Sequence, residues 1–217
     1  MKRIFQVMLL ALTAALPARA ATTPEQEFWT WFQANESMLF DFERDQERIF
    51  DRLQRAMHKV DPDLVFEFGP KQNGKREFVI SADGIRAAFP KVEALYAAAP
   101  ALQNWIIVKY RPRRVPMDIG YGDRKIKAAT VMVLLHAQGD KAGITIMIPG
   151  YDAAEHDTYR SLAYLFLDQA LGEFDVETRV GEIRIVAPAG ETSGALSLQE
   201  LPAAFDRYIA QRTSPHR

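Results

Sequence analysis

The stretch Tyr159–Val186, YRSLAYLFLDQALGEFDVETRVGEIRIV, holds the two periodicities from which a layered fold is built. Leu162, Leu165, Phe166, Ala170 and Leu171 recur at the three- and four-residue spacing of one helix face, in a helix that starts near residues 153–157. Gly172 follows, where a left-handed residue can end a helix. Beyond it, Phe174–Val180 and Glu182–Ala187 read as extended, one long bent strand with Gly181 as a bulge. A helix that stops on glycine and returns as a strand needs a sheet to pack on, and the segments before it supply one.

Ala128–Ala137 is almost continuously apolar, the pattern of a strand covered on both faces. Gly139-Asp140 turns it into a partner at Gly143–Ile148. Earlier, Leu64–Phe68 and Glu77–Ser81 flank Asn73-Gly74, the strongest short hairpin signal. A helix over residues 85–98, opened by Pro90, leads to a strand at Asn104–Tyr110. Residues 64–110 and 128–186 therefore share one order of elements, a ββαβ repeat in topology without sequence identity. Leu198–Gln211 forms a closing helix capped by Ser197. The fold expected is α+β: a mixed, mainly antiparallel sheet with helices packed on one side.

The chain before the first hairpin is helical. Thr23, Pro24 and Gln26 form a helix start with a capping box. Phe28, Trp31, Phe32, Leu39, Phe42, Ile49, Phe50, Leu53, Met57 and Val60 then keep helical spacing. This predicts a long N-terminal helix, or two collinear ones broken near Asn35–Ser37. Residues 21–60 are thus a helical segment that forms one globular unit with an α+β domain over 61–217.

Residues 1–20 are of another kind. Lys2 and Arg3 precede an apolar run, Ile4–Leu16, and Pro17 leads to Ala18-Arg19-Ala20. This is the layout of a signal peptide cleaved after Ala20, with a run too short to span a bilayer. The protein is expected to be exported, periplasmic or secreted, with no stable transmembrane segment after cleavage. Lys2, Arg3 and Arg19 leave with the signal, so 27 basic residues fall to 24 against 28 acidic ones, a net charge of −4. That balance argues against nucleic acid as a partner. The chain has no cysteine, which removes disulfides, thiol nucleophiles and thiolate metal sites.

Few residues combine into chemistry. His58, His136, His156 and His216 contain no i,i+4 pair, so neither a metal site nor a cofactor is expected. There is no nucleophile elbow and no phosphate-binding glycine loop, so no catalytic residue is assigned. His136 reads as structural. His156, between Glu155 and Asp157, is the best base if catalysis exists. Asp41, Glu43, Asp45 and Glu47 read as solvated. Asp168 and Glu173 flank Gly172 and read as capping and ion-pair residues. The sharpest feature is basic: Lys109, Arg111, Arg113 and Arg114, followed by Arg124, Lys125 and Lys127. On an extended chain Lys109, Arg111 and Arg113 share a face. Such a group can hold a carboxylate, a phosphate or an acidic partner, or it can guard a sheet edge.

WFQANESMLFDFERDQERIFDRL, LVFEFGP with NGKREFVISADGI, AAPALQNWIIVKYRPRR and FLDQALGEFDVETRVGEIRI together resemble a group of uncharacterised bacterial domains of unknown function. The resemblance implies an α+β domain and assigns no activity to any residue. The functional expectation is an exported, non-enzymatic binding protein whose partner is an unknown protein or a small anionic ligand. The alternatives are an envelope hydrolase using His156 beside the arginines, and an immunity or inhibitor protein presenting an acidic first helix.

Overall fold

Thr23 starts the first helix as its sequence requires. Its Oγ1 accepts from the Gln26 amide while its own amide donates to Gln26 Oε1, and Pro24 occupies the first turn. The structure, a computed structural model, describes residues 21–122, 124–190 and 193–213. The export signal at residues 1–20 lies outside the described residues.

The N-terminal segment is not one long helix. α1 (Pro24–Ala34) and α2 (Glu36–Phe40) are followed by a 3₁₀ turn and by α3 (Gln46–Met57), which packs back beside α1. Asn35 makes the first break: its Nδ2 donates to the Trp31 carbonyl and its Oδ1 accepts from Arg52. Folding back lets Phe28, Phe32, Leu39, Leu53 and Met57 all reach one core, which collinear helices could not do.

β1 (Val65–Gln72) and β2 (Lys75–Ser81) form the first hairpin. Asn73 and Gly74 both adopt positive φ, 52° and 75°, as a tight two-residue turn demands. α4 (Phe89–Ala97) crosses over, and β3 (Trp105–Lys109) returns parallel to β2. A short hairpin follows, β4 (Ile119–Tyr121) with β5 (Arg124–Ile126). β6 (Met132–Gln138) and β7 (Lys141–Met147) form the second major hairpin. α5 (His156–Leu171) and α6 (Glu173–Arg179) cross over, and β8 (Val180–Val186) returns parallel to β7. β9 (Leu196–Ser197) pairs with β6, and α7 (Leu201–Thr213) ends the described chain.

The ββαβ order therefore occurs twice, and the mixed, mainly antiparallel pairing holds within an α+β fold. The strands divide into three sheets, ordered β1-β2-β3, β4-β5 and β8-β7-β6-β9. Each half has its own core. Phe28, Phe32, Phe78, Val92, Leu95 and Trp105 fill the first; Val133, Ile144, Ile146, Leu162, Phe166 and Phe205 fill the second.

Residues 174–179 are helical rather than extended, and Val180 opens β8. Their apolar residues alternate, which imitates a strand. Glu173 and Asp175 in the first turn and Arg179 in the last match the helix dipole, and Val176 enters the second core. The irregularity expected at Gly181 is present. Ala142 faces Val180 and Ile144 faces Ile183, so β8 has an extra residue there. The Glu182 amide freed by it donates to Gln138 Oε1.

Candidate functional site

Both ends of the site are set by one irregular segment, residues 110–118, which joins the halves. Tyr110 has φ +61°, so the chain turns sharply as it leaves β3. Its amide donates to the Ile80 carbonyl at 2.7 Å and its hydroxyl to Glu93 at 3.0 Å. Burial, reinforced by that carboxylate, pushes the Tyr110 phenol well above its ordinary range. Phe89 and Phe174 pack on the Tyr110 ring from opposite halves.

That turn separates the basic residues expected on one face. Lys109 binds Glu93 at 2.7 Å on the first half, and it holds the Glu93 carboxyl below its usual range. Arg111 donates to Glu67 at 2.5 Å and Asp83 at 2.7 Å, with Asp168 at 3.7 Å. Arg113 grips both Asp206 oxygens, at 2.8 and 2.9 Å, and also Asp175 at 2.6 Å and the Leu171 carbonyl at 2.9 Å. Arg114 pairs with Glu77, while its amide donates to the Gln169 carbonyl. Met117 N donates to Gln169 Oε1. The segment is a strap, tied by turns to the first half (Glu67, Glu77, Asp83) and the second (Asp168, Gln169, Asp175, Asp206). Its cations are matched by carboxylates of the protein itself.

Glu173 locks the same junction from the other side. It is 0% exposed, although it belongs to the first turn of α6. Its Oε1 accepts from the amides of Ala82 and Gly84 at 3.1 Å each, and its Oε2 accepts from the Arg111 amide at 3.0 Å. Its own amide donates to the Arg111 carbonyl at 3.0 Å. A helix-end role does not describe it: the side chain reaches across to the first half. Gly172 has φ +80° and ψ 146°, not the left-handed helical pair of angles. It is glycine because a Cβ would come within 3.2 Å of the Arg111 carbonyl oxygen.

Under the strap lies a cleft of about 760 Å³. The first sheet supplies Glu67, Phe68, Pro70 and Val79. The strap supplies Arg111, Pro112, Arg114, Val115 and Met117, and α5 supplies Leu165, Asp168 and Gln169. Leu165 does not face the helix core with Leu162 and Phe166. It stands 43% exposed on the neighbouring face, one turn before Asp168 and Gln169. Val115 and Met117 on the rim are 73% and 65% exposed. A second cavity of about 440 Å³, lined by Asp83, Tyr164 and Glu177, meets the first at Arg111, Leu165 and Asp168.

Asp168 is 8% exposed. Among the described residues its carboxylate accepts no hydrogen bond, and Arg111 at 3.7 Å is its ion-pair partner. Burial pushes its carboxyl up to about 7, opposed by Arg111 and reinforced by Glu173, Glu177 and Asp83. Burial and Glu173 also raise Glu177.

The remaining candidates lie elsewhere. His156 bonds to the Tyr151 hydroxyl at 3.0 Å, not to a carboxylate. It precedes Asp168 by twelve helical residues, about 18 Å along α5. The His156–arginine pairing that hydrolysis would need is therefore not formed. The Asp41 and Glu43 side chains are not simply solvated: Asp41 binds Lys71 at 2.7 Å, and Glu43 binds the buried Arg76 at 2.5 Å. Arg76 also lies over the Phe42 ring at 4.4 Å. Arg124 pairs with Glu155, and Lys125 with Asp118. Among the described residues no acidic or histidine group is arranged to hold a metal ion, and no helix is long and apolar enough to cross a membrane. Comparison of the chain with protein-family models, with curated proteins and with solved structures gave no match, so the site rests on its own geometry.

Proposed function

We propose that this is an exported, non-catalytic binding protein that takes a largely apolar ligand between its two ββαβ halves. The cleft under the strap carries this reading. Its volume of about 760 Å³ falls within the few hundred to about 1,000 Å³ usual for small-molecule sites. Phe68, Pro70, Val79, Pro112, Val115, Met117 and Leu165 give it an apolar lining, joined by the charged Glu67, Arg111, Arg114 and Asp168. A small anion is a poorer fit than the basic run alone suggests. Arg111, Arg113 and Arg114 each spend their charge on carboxylates of the chain, and a cation already paired in this way attracts a further anion weakly. Export is carried by the layout of residues 1–20.

The test uses residues 21–217 and a neutral fluorescent apolar probe, N-phenyl-1-naphthylamine. Saturable binding at about one site per chain is expected, weakened about tenfold or more by Leu165→Glu or Met117→Glu. A carboxylate there meets an apolar ligand without a partner, at a cost of several kcal/mol. No saturable binding by the unaltered protein, or binding indifferent to both substitutions, overturns the proposal.

A further inference from the structure

The charges that line the two joined cavities are unequal in how far they are satisfied. Arg111 has Glu67 and Asp83 within 2.7 Å, Arg114 has Glu77, and Arg160 has Asp157 at 3.2 Å. Asp168 has no comparable partner. Its separation from Arg111 is 3.7 Å, beyond hydrogen-bond reach, and that guanidinium already serves two other carboxylates. The residue is 8% exposed and its side chain 11%, yet it lines both cavities. A buried carboxylate without a hydrogen bond is costly, and a ligand that donates to it relieves that cost. Arg111 is the strongest single charge acting on it, and the carboxylates of Glu173, Glu177 and Asp83 act against that cation. Leu165 stands beside it on α5 and continues into the apolar wall.

We infer that the cleft is selective for amphiphilic amines, with Asp168 receiving the ammonium group and the wall of Val79, Leu165 and Met117 receiving the hydrocarbon. This rests on the binding function proposed above. The raised carboxyl supports it, because the group loses its proton at little cost when a cation arrives. A primary ammonium offers three donors, enough for Asp168 with Glu67 or the Gln169 side chain nearby.

The experiment compares octylamine, octanol and octanoate, each displacing N-phenyl-1-naphthylamine from residues 21–217. At about pH 8 the amine is charged and Asp168 is mostly ionised. Octylamine is expected to bind about tenfold or more tighter than octanol, and octanoate weakest. Asp168→Asn should bring the amine and the alcohol within about twofold of each other. Glu177→Gln, at a residue that lines only the second cavity, should keep most of the preference. The ranking for the unaltered protein decides the matter even if Asp168→Asn folds poorly. Probe binding with no amine preference, or with octanoate strongest, overturns amine selectivity and leaves the apolar cleft standing. A preference that survives in folded Asp168→Asn overturns the role of Asp168. Failure of every compound, the probe included, removes the cleft function itself.

Discussion

Replacing Glu173 with alanine is the most severe single perturbation of the junction. Three amides lose their acceptor at once: Ala82 and Gly84 on the first half, and Arg111 on the strap. An unsatisfied buried donor costs about 1–3 kcal/mol. Ala82 is fully buried, whereas Gly84 and Arg111 are half-buried and can recruit water. The total expected is about 3–5 kcal/mol, a large part of the roughly 5–15 kcal/mol that holds a typical domain together. Urea unfolding followed by tryptophan fluorescence and by circular dichroism measures it. The buried Trp29 and Trp105 both report on the first half, while circular dichroism sees both halves. With a slope of about 2 kcal/mol per molar urea, the midpoint should fall by about 2 M. Glu173→Gln should be intermediate. One oxygen can still serve Ala82 and Gly84, but the amide nitrogen then faces the Arg111 N–H, donor against donor. A loss below about 1 kcal/mol for the alanine variant, or a glutamine variant worse than alanine, would refute the view that this carboxylate clamps the halves.

Four further outcomes are expected. Asp168 keeps its proton to about pH 7 when folded and loses it near 3.8 when unfolded. The folded state thus holds the extra proton between those values, and stability falls as pH rises through the window, by at most about 4 kcal/mol; Asp168→Asn should flatten that slope in urea titrations between pH 4 and pH 8, and an unchanged slope would assign it to another group. Gly172→Ala should cost about 2–4 kcal/mol, from a φ of +80° and a 3.2 Å approach to the Arg111 carbonyl. Gly74→Ala, with positive φ but open space around it, should cost about 1 kcal/mol in the same thermal denaturation series. Gly143→Ala would drive a methyl group into the His136 ring directly opposite on β6, so His136→Ala should recover about 1 kcal/mol or more of the loss in a double-mutant cycle.

Local signals were legible wherever the deciding neighbours were close in the chain. Asn73-Gly74 determines its hairpin through its own backbone angles, and Thr23-Pro24-Gln26 forms its cap within a single turn. The doubled ββαβ order followed from the succession of such signals. What distant residues decide was not legible. Residues 174–180 alternate as a strand would, and the helix there answers to a core partner and a buried carboxylate supplied by tertiary packing. The basic run around Arg111 was visible as sequence, but its counter-charges were not: Asp83, Asp175 and Asp206 lie 28 to 93 residues from the arginines they bind. The helical spacing of Leu165 points to the core, yet the residue is 43% exposed. Its true neighbours on the helix surface, Asp168 and Gln169, mark a second face with its own use. Glu173 stands beside a glycine, and nothing nearby in sequence reveals the three amides it serves.

The strap also bears on the order in which the protein folds. Each half closes through short loops, such as the two-residue turns of its hairpins. The ties between strap and halves span far more chain, with Arg113 and Asp206 separated by 93 residues. Long loops cost more entropy to close, and their contacts form late. The halves are therefore the nucleating units and the strap contacts the final step. Arg113→Ala should accelerate unfolding in stopped-flow chevrons and leave the refolding rate nearly unchanged, whereas a slowed refolding limb would place the strap in the nucleus instead. The junction that shapes the cleft is then also the kinetic latch of the native state.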